Sequence, residues 1–227
     1  MNKTTFKAFL ITLILFGGIG YLILGGGKLP DFPEMTFLEN IFKKKNNDNT
    51  KKKTKRKRNT SNAKAGQVVD NYRGVKVYYN GSASNVYGRN VTNDGYNLGL
   101  KYQCVEFAKR FYYEAYNHKM ADSYGHAKDF FDTSLPSGKI NKARGMYQFR
   151  NNTFEKPKVD DLCIIGPSAG NKFGHLFIVT KVNSNSIEFV QQNGGYSNPS
   201  RGEYQLINQD GQWNLKAANL LGWLRMP

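Results

Sequence analysis

Cysteine and histidine are scarce in this chain. It has two cysteines, Cys104 and Cys163, and three histidines in 227 residues. Two cysteines cannot build a disulfide framework. No cysteine or histidine pair has the spacing of a zinc site, so no metal is expected. No glycine-rich phosphate loop stands between a strand and a helix, and no Gly-x-Ser-x-Gly elbow is present. No organic cofactor is implied. Acid is short as well: 17 Asp and Glu face 33 Lys and Arg, a formal net charge of +16.

That charge is unevenly placed. Lys43–Lys45, Lys51–Lys53, Lys55, Arg56, Lys57 and Arg58 set ten bases against one acid, Asp48, which accounts for +9 of the +16. Such a run repels itself and buries no core, so it is expected to be disordered. It suits either a solvated spacer or docking to an anionic lipid or wall polymer. Nucleic acid is not expected, since the run has no interleaved aromatics and no nucleic-acid fold beside it.

The one long apolar stretch is Ala8–Leu24, preceded by Lys3 and Lys7. A helix of that length spans roughly 26 Å, at the short end for a membrane crossing. A cleaved signal peptide competes with an uncleaved anchor. No clear cleavage site follows, which favours the anchor. Lys3 and Lys7 before the span, against Lys28 close after it, put the N-terminus in the cytoplasm and the rest outside. The expected organisation is a cytoplasmic segment at 1–7, a transmembrane anchor at 8–24, a polybasic linker at 25–65 and a globular domain at 66–227. The expected localisation is a single-pass membrane protein with a periplasmic or extracellular domain.

Within 66–227, Val75–Tyr79 is expected as a strand and 80–100, rich in Gly and Asn, as a loop. A helix is expected at Gln103–Tyr116 and another near Ala127–Phe131. Strands are expected at Asp161–Ile165, His175–Val182, Ser186–Gln192 and Leu220–Arg225. A leading helix followed by antiparallel strands is an α+β pattern.

Cys104, Ala108, Phe111 and Ala115 form one stripe of a 3.6-residue period, with Cys104 at its head. Unpaired amides and the dipole at a helix start stabilise a thiolate, which suits a nucleophile. The alternative is a small hydrophobe in a core stripe, and Cys163, in Leu-Cys-Ile-Ile, has that look. Downstream, Asn183–Asn185 turn the chain between two apolar runs. If Val182 pairs with Ser186, His175 faces Asn193 and has Gln191 on the same face; a loop of two or four residues spoils that parity. Phe177 and Val179 share the face of His175, and Leu176 and Ile178 take the other. A sheet apolar on both faces needs two covers, and the Cys104 helix is a natural one. A thiol, an imidazole and a side-chain amide are the parts of a cysteine hydrolase. His118 is expected as a solvated helix-end residue and His126 as the start of a helix.

The chain resembles the CHAP family, the cysteine, histidine-dependent amidohydrolases/peptidases. Gln-Cys-Val-Glu-Phe-Ala-Lys-Arg, residues 103–110, is similar to the helix start of the glutathionylspermidine amidase branch. Gly74-Val75, Val159-Asp160-Asp161-Leu162, Gly174-His175 and Leu221-Gly222-Trp223 extend the resemblance from about Gly74 to Met226. It implies a papain-like α+β domain, its cysteine-bearing helix packed on an antiparallel sheet. It implies Cys104 as nucleophile and His175 as general base. Gln191 stands where a ring-orienting glutamate is common, and Asn193 matches the family's asparagine. Lys109 and Tyr102 stand where the amidase branch has arginine and tryptophan, departures that bear on its substrate.

The expected function is a membrane-anchored cysteine amidase or peptidase that cleaves an amide through a Cys104 acyl-enzyme. The oxyanion would meet the Cys104 N–H, with Gln103 as a further candidate donor. Peptidoglycan, at its muramoyl–alanine bond or its stem peptides, is the leading substrate. The alternatives are a glutathionylspermidine-type amide and an inactive module that binds the wall or another partner.

Overall fold

The computed structural model describes residues 63–121, 124–195 and 199–227. Their framework is an eight-stranded antiparallel sheet in the order β11-β10-β9-β8-β7-β12-β6-β5. In chain order these strands are β5 (Lys139–Asn141), β6 (Met146–Arg150), β7 (Leu162–Ile165), β8 (His175–Val182), β9 (Ser186–Gln191), β10 (Arg201–Gln209), β11 (Gln212–Leu215) and β12 (Leu220–Arg225). Two hairpins precede them: β1 (Val68–Tyr72) with β2 (Val75–Tyr78), and β3 (Arg89–Val91) with β4 (Asn97–Leu100). Among the described residues one α-helix, α1 (Cys104–Tyr116), lies between the hairpins and the sheet in sequence, and a 3-10 turn forms at Ala127–Phe130.

Alternation along the central strands divides the core in two. Leu162, Ile164, Leu176, Ile178, Val190 and Leu224 face α1 and pack with Phe107, Ala108, Phe111 and Tyr112. Cys163, Phe177, Val179, Phe189 and Trp223 face the other way and pack with Ile187, Leu206 and Leu215. Among the described residues nothing helical covers that second face. The sheet covers itself: β11 reaches the chain just beyond β6, where Thr153 and Trp213 exchange backbone hydrogen bonds of 3.2 and 2.6 Å. Asn151 fastens the same seam through the backbone of Leu215. An apolar face on each side of the sheet is therefore explained by one helix and by curling.

The β8–β9 hairpin departs from its expected register and recovers it. Val182 pairs with Ile187, not Ser186, and Asn183 N–H donates to Ser186 O across a tighter turn. The register then shifts between Val179 and Lys181. One extra residue in a bulge restores the parity that the short turn had removed. Beyond it Phe177 pairs with Gln191, the spacing that sets Gln191 diagonally from His175.

Other expectations are corrected. The stretch 80–100 carries β3 and β4 and is not all loop. Three- and four-residue strands rich in Asn and Gly lack the apolar alternation that would announce them. The polar strands β10 and β11 were not anticipated for the same reason. The single-pass membrane localisation is also overturned: among the described residues no helix is long and apolar enough to cross a membrane. The one α-helix has 13 residues, about 20 Å long, and buries Glu106, Lys109 and Arg110 among its apolar groups. The apolar stretch 8–24 and the basic tract 43–58 lie outside the described residues.

Gly174 sets where β8 begins. Its φ is +78°, and a Cβ there would sit 2.4 Å from Ile165 O and 3.1 Å from Lys128 N. Gly174→Ala is expected to destabilise the full chain by about 1–3 kcal/mol in urea unfolding. Gly170→Ala, with nothing within 4 Å of its new methyl, is the control and is expected to stay near wild type.

Candidate active site

The helix start is built from the backbone outward. Tyr102 takes a left-handed φ of +67° and turns the chain into α1. Its ring lies 5.4 Å from those of Tyr78 and Tyr87. Gln103 occupies the N-cap in extended conformation but makes no side-chain cap bond. Its amide nitrogen instead donates to Asn85 O at 2.8 Å and Ala83 O at 3.3 Å, and its amide oxygen accepts from Asn193 Nδ2 at 2.6 Å. Both amide protons of Gln103 are thus committed to the 83–85 loop, which argues against its side chain as an oxyanion donor.

Cys104 is the first residue of α1 and is half-buried. Burial pushes its thiol up to about 11, opposed by the backbone N–H groups of Leu176, Val105 and Cys104 itself, which face the sulfur. The Leu176 contact brings the thiol to the start of β8, one residue beyond His175. No hydrogen bond among the described residues joins the two side chains. His175 is likewise half-buried. Burial lowers its ring to about 4, and a hydrogen bond with Gln191 works against that shift.

The Gln191 contact fixes which ring nitrogen is which. Gln191 Nε2 donates to Pro199 O at 3.0 Å. A carbonyl can only accept, so the other end of the amide is the oxygen that faces His175 Nε2, at 2.9 Å. Nε2 of His175 therefore carries a proton and donates it, and Nδ1 holds the lone pair. Gln191 has little freedom to turn away: a methyl on Gly194 would lie 2.4 Å from its nitrogen.

The other expected residues divide. Asn193 is not bonded to His175. It leaves the strand with φ +55° and ties Gln103 and Ala83 O together. Cys163 is fully buried in the sheet's inner core and its thiol is pushed well up by burial, as expected of a core residue. His126 heads the 3-10 turn, as expected. His118 is half-buried, not solvated, with Nε2 2.7 Å from Arg144 O. Lys109 is buried, its ammonium held by Asn97 O and 4.7 Å from the Tyr96 ring centre, so its identity bears on how α1 packs against β4. Among the described residues no cluster could hold a metal ion.

Sequence reasoning assigned no role to Gln192, Glu106 or Arg110. Glu106 is buried and accepts from Arg110 Nε at 2.6 Å, Asn90 Nδ2 at 2.8 Å and Gln192 Nε2 at 2.8 Å. The i,i+4 spacing of Glu106 and Arg110 was the available signal, but surface and buried pairs share it. A shallow cleft open to solvent lies beside Gln192, lined by Val77 to Gly81 and by Gln191 to Gly195. Cys104 and His175 do not line it, so it adjoins the thiol site without containing it.

Burial of a neutral histidine couples this site to stability. Between pH 6.5 and about 4 the unfolded chain takes up a proton at position 175 that the folded chain refuses. Stability therefore falls as pH drops through that window and the loss is complete below it. The Tm of the full chain, followed from pH 7 to 4, is expected to fall less in His175→Gln than in wild type. Equal slopes would remove His175 from this account.

Comparison with known proteins gives the site its family. The curated relatives include trypanothione synthetase of Crithidia fasciculata, 26% identical over 150 residues and covering 62% of this chain. They also include the bifunctional glutathionylspermidine synthetase/amidase of Escherichia coli (strain K12), 28% identical over 149 residues and covering 60%. This chain spans 23% of the length of each. Among solved structures, the wild type endolysin LysIME-EF1 superposes with a TM-score of 0.35 at 20% identity, over 64% of this chain and 61% of that one. Ly7917 does so with a TM-score of 0.33 at 17% identity, over 65% and 57%. The family model described as the CHAP domain matches residues 93–193, the span from the β3–β4 hairpin through α1 to Asn193. The chain carries a CHAP domain, the family its sequence resembled.

Proposed function

We propose that this protein hydrolyses an amide bond with Cys104 as nucleophile and His175 as general base. The cysteine amidase or peptidase class expected from the sequence is the class of its CHAP domain. The observation that carries the assignment of roles is the His175–Gln191–Pro199 chain of hydrogen bonds, because it leaves Nδ1 as the basic nitrogen.

A thiol near 11 beside an imidazole near 4 keeps the proton on sulfur at rest. The site therefore works as a general-base pair and not as a preformed thiolate–imidazolium pair. As the sulfur attacks the carbonyl carbon, its proton passes to Nδ1 and the oxygen gains charge against the Cys104 N–H. The C–N bond breaks as the proton moves from Nδ1 to the leaving amine. Water, deprotonated by the same nitrogen, then releases the acid and restores the thiol. Gln191 holds the ring through both steps but supplies no charge to the imidazolium, and Asn193 acts one step removed, by holding Gln103.

The substrate proposed is a peptidoglycan amide, either the muramoyl–alanine bond or a stem peptide. Support comes from the solvent-open cleft at Gln191–Gly195, next to the residue that holds the His175 ring, which suits a polymer lying across the surface. A second reading, a glutathionylspermidine-type amide, is favoured by the alignment with the amidase-bearing relative over 60% of the chain.

The full chain, with Cys104→Ala and His175→Ala in parallel, is to be offered peptidoglycan and glutathionylspermidine, with products followed by mass spectrometry. Wild type is expected to release wall peptides, and each variant to lose about 100-fold or more of that rate. Cleavage of glutathionylspermidine alone would select the second reading. No product from either substrate would leave a binding module.

Gln191→Glu offers a finer check. A carboxylate against Nε2 stabilises the imidazolium, so alkylation of Cys104 by iodoacetamide at pH 7 is expected to quicken. An unchanged or slower rate would mean that Gln191 does not govern the charge on the ring.

A further inference from the structure

Gln191 and Gln192 are consecutive at the end of β9 and serve opposite sides of it. Gln191 holds the His175 ring, and Gln192 turns to the helix. Gln192 is 1% exposed, yet every bonding position of its amide is filled. Nε2 donates to Gln103 O at 3.1 Å and to Glu106 Oε2 at 2.8 Å. Oε1 accepts from Tyr78 N at 2.8 Å and from Arg110 Nη2 at 3.4 Å. One side chain thus ties the end of β9 to β2 and to the first turn of α1.

Its bond to Gln103 O matters most. That carbonyl and the Cys104 N–H belong to the same planar peptide group and point in opposite directions. Pinning the oxygen therefore aims the N–H. The N-cap side chain makes no cap bond and instead holds the 83–85 loop and Asn193, so it does not bond to the helix's first N–H groups. Gln103 O also accepts the ordinary helical donor, Phe107 N, at 3.2 Å.

We propose that Gln192 is a positioning residue for the thiol reaction: by holding the carbonyl of the Gln103–Cys104 peptide it directs the Cys104 N–H at the sulfur and the reacting oxygen. The inference rests on the reading of Cys104 as nucleophile. It makes the Gln191-Gln192 dipeptide the alignment element of the whole pair, with one residue for the base and the next for the nucleophile's peptide.

A role in stability alone would act through the buried Glu106 carboxylate. Asn90 separates the two, because it donates to Glu106 and makes no bond to Gln103. The experiment compares Gln192→Met, close in shape and without the amide, with Asn90→Ala in the full chain. Cys104 alkylation by iodoacetamide is measured from pH 7 to 11, with buried Cys163 as internal reference and Tm recorded for each protein. Losing the Gln103 bond is expected to slow alkylation about tenfold and displace the pH–rate profile upward, while Asn90→Ala stays within about twofold of wild type. A folded Gln192→Met with the wild-type profile overturns the proposal, as does an equal slowing in both variants. If Gln192→Met gives no cooperative transition, Gln192→Asn takes its place. If neither folds, the proposal also falls, because Gln192 is then a residue of stability. Iodoacetamide needs no substrate, so normal alkylation with no amide hydrolysis would sink the proposed function and leave the role of Gln192 standing.

Discussion

Much of this domain is arranged around one buried carboxylate. Glu106 sits in the first turn of α1, 1% exposed, and a charge so placed is tolerable only when paired and fully hydrogen-bonded. Arg110 supplies the opposite charge one turn later. Asn90 and Gln192 supply further donors, from the β3–β4 hairpin and from the end of β9. Breaking such a pair costs about 3–5 kcal/mol, far more than a surface ion pair is worth. The carboxylate therefore draws three separate parts of the chain to the spot where Cys104 begins its helix.

The sheet supplies the other half of the constraint. Alternation sends Leu176 and Ile178 to α1 and Phe177 to the curled inner face. His175 has the parity of Phe177, so thiol and imidazole are not stacked over one face of the sheet. At its end the Leu176 N–H meets the sulfur, and the ring of the preceding residue, His175, reaches Gln191. Both groups are largely enclosed there, and enclosure disfavours charge on each. Burial favours the neutral form of each group for that reason, and the amide of Gln191 suits an uncharged ring.

Much of this was legible from residue pattern. The 3.6-residue stripe placed α1 to within one residue, and apolar alternation placed β8 and β12 at their observed ends. The pairing of His175 with Gln191 was foreseen through a turn that does not form. The real turn is tighter, and a bulge near Thr180 restores the parity. Position in the hairpin was thus predictable while its path was not, since a bulge leaves no mark in a pattern of period two. Asn193 was assigned to the histidine because it was taken to continue the strand. Its positive φ carries it away to Gln103.

What the sequence determined by itself is local: which segments bury a stripe or a face, which cysteine heads a helix, and which histidine opens a strand. Those follow from backbone periodicity, which is a property of neighbours in the chain. Tertiary structure alone decided that Glu106, Lys109 and Arg110 go inside, that the sheet curls onto itself at Thr153 and Trp213, and that Gln192 spans from β9 to Gln103. A charged or amide side chain favours water and is buried only where its hydrogen bonds are made good inside. Its place depends on whether partners from distant segments arrive to satisfy it, and only the folded chain brings those partners together.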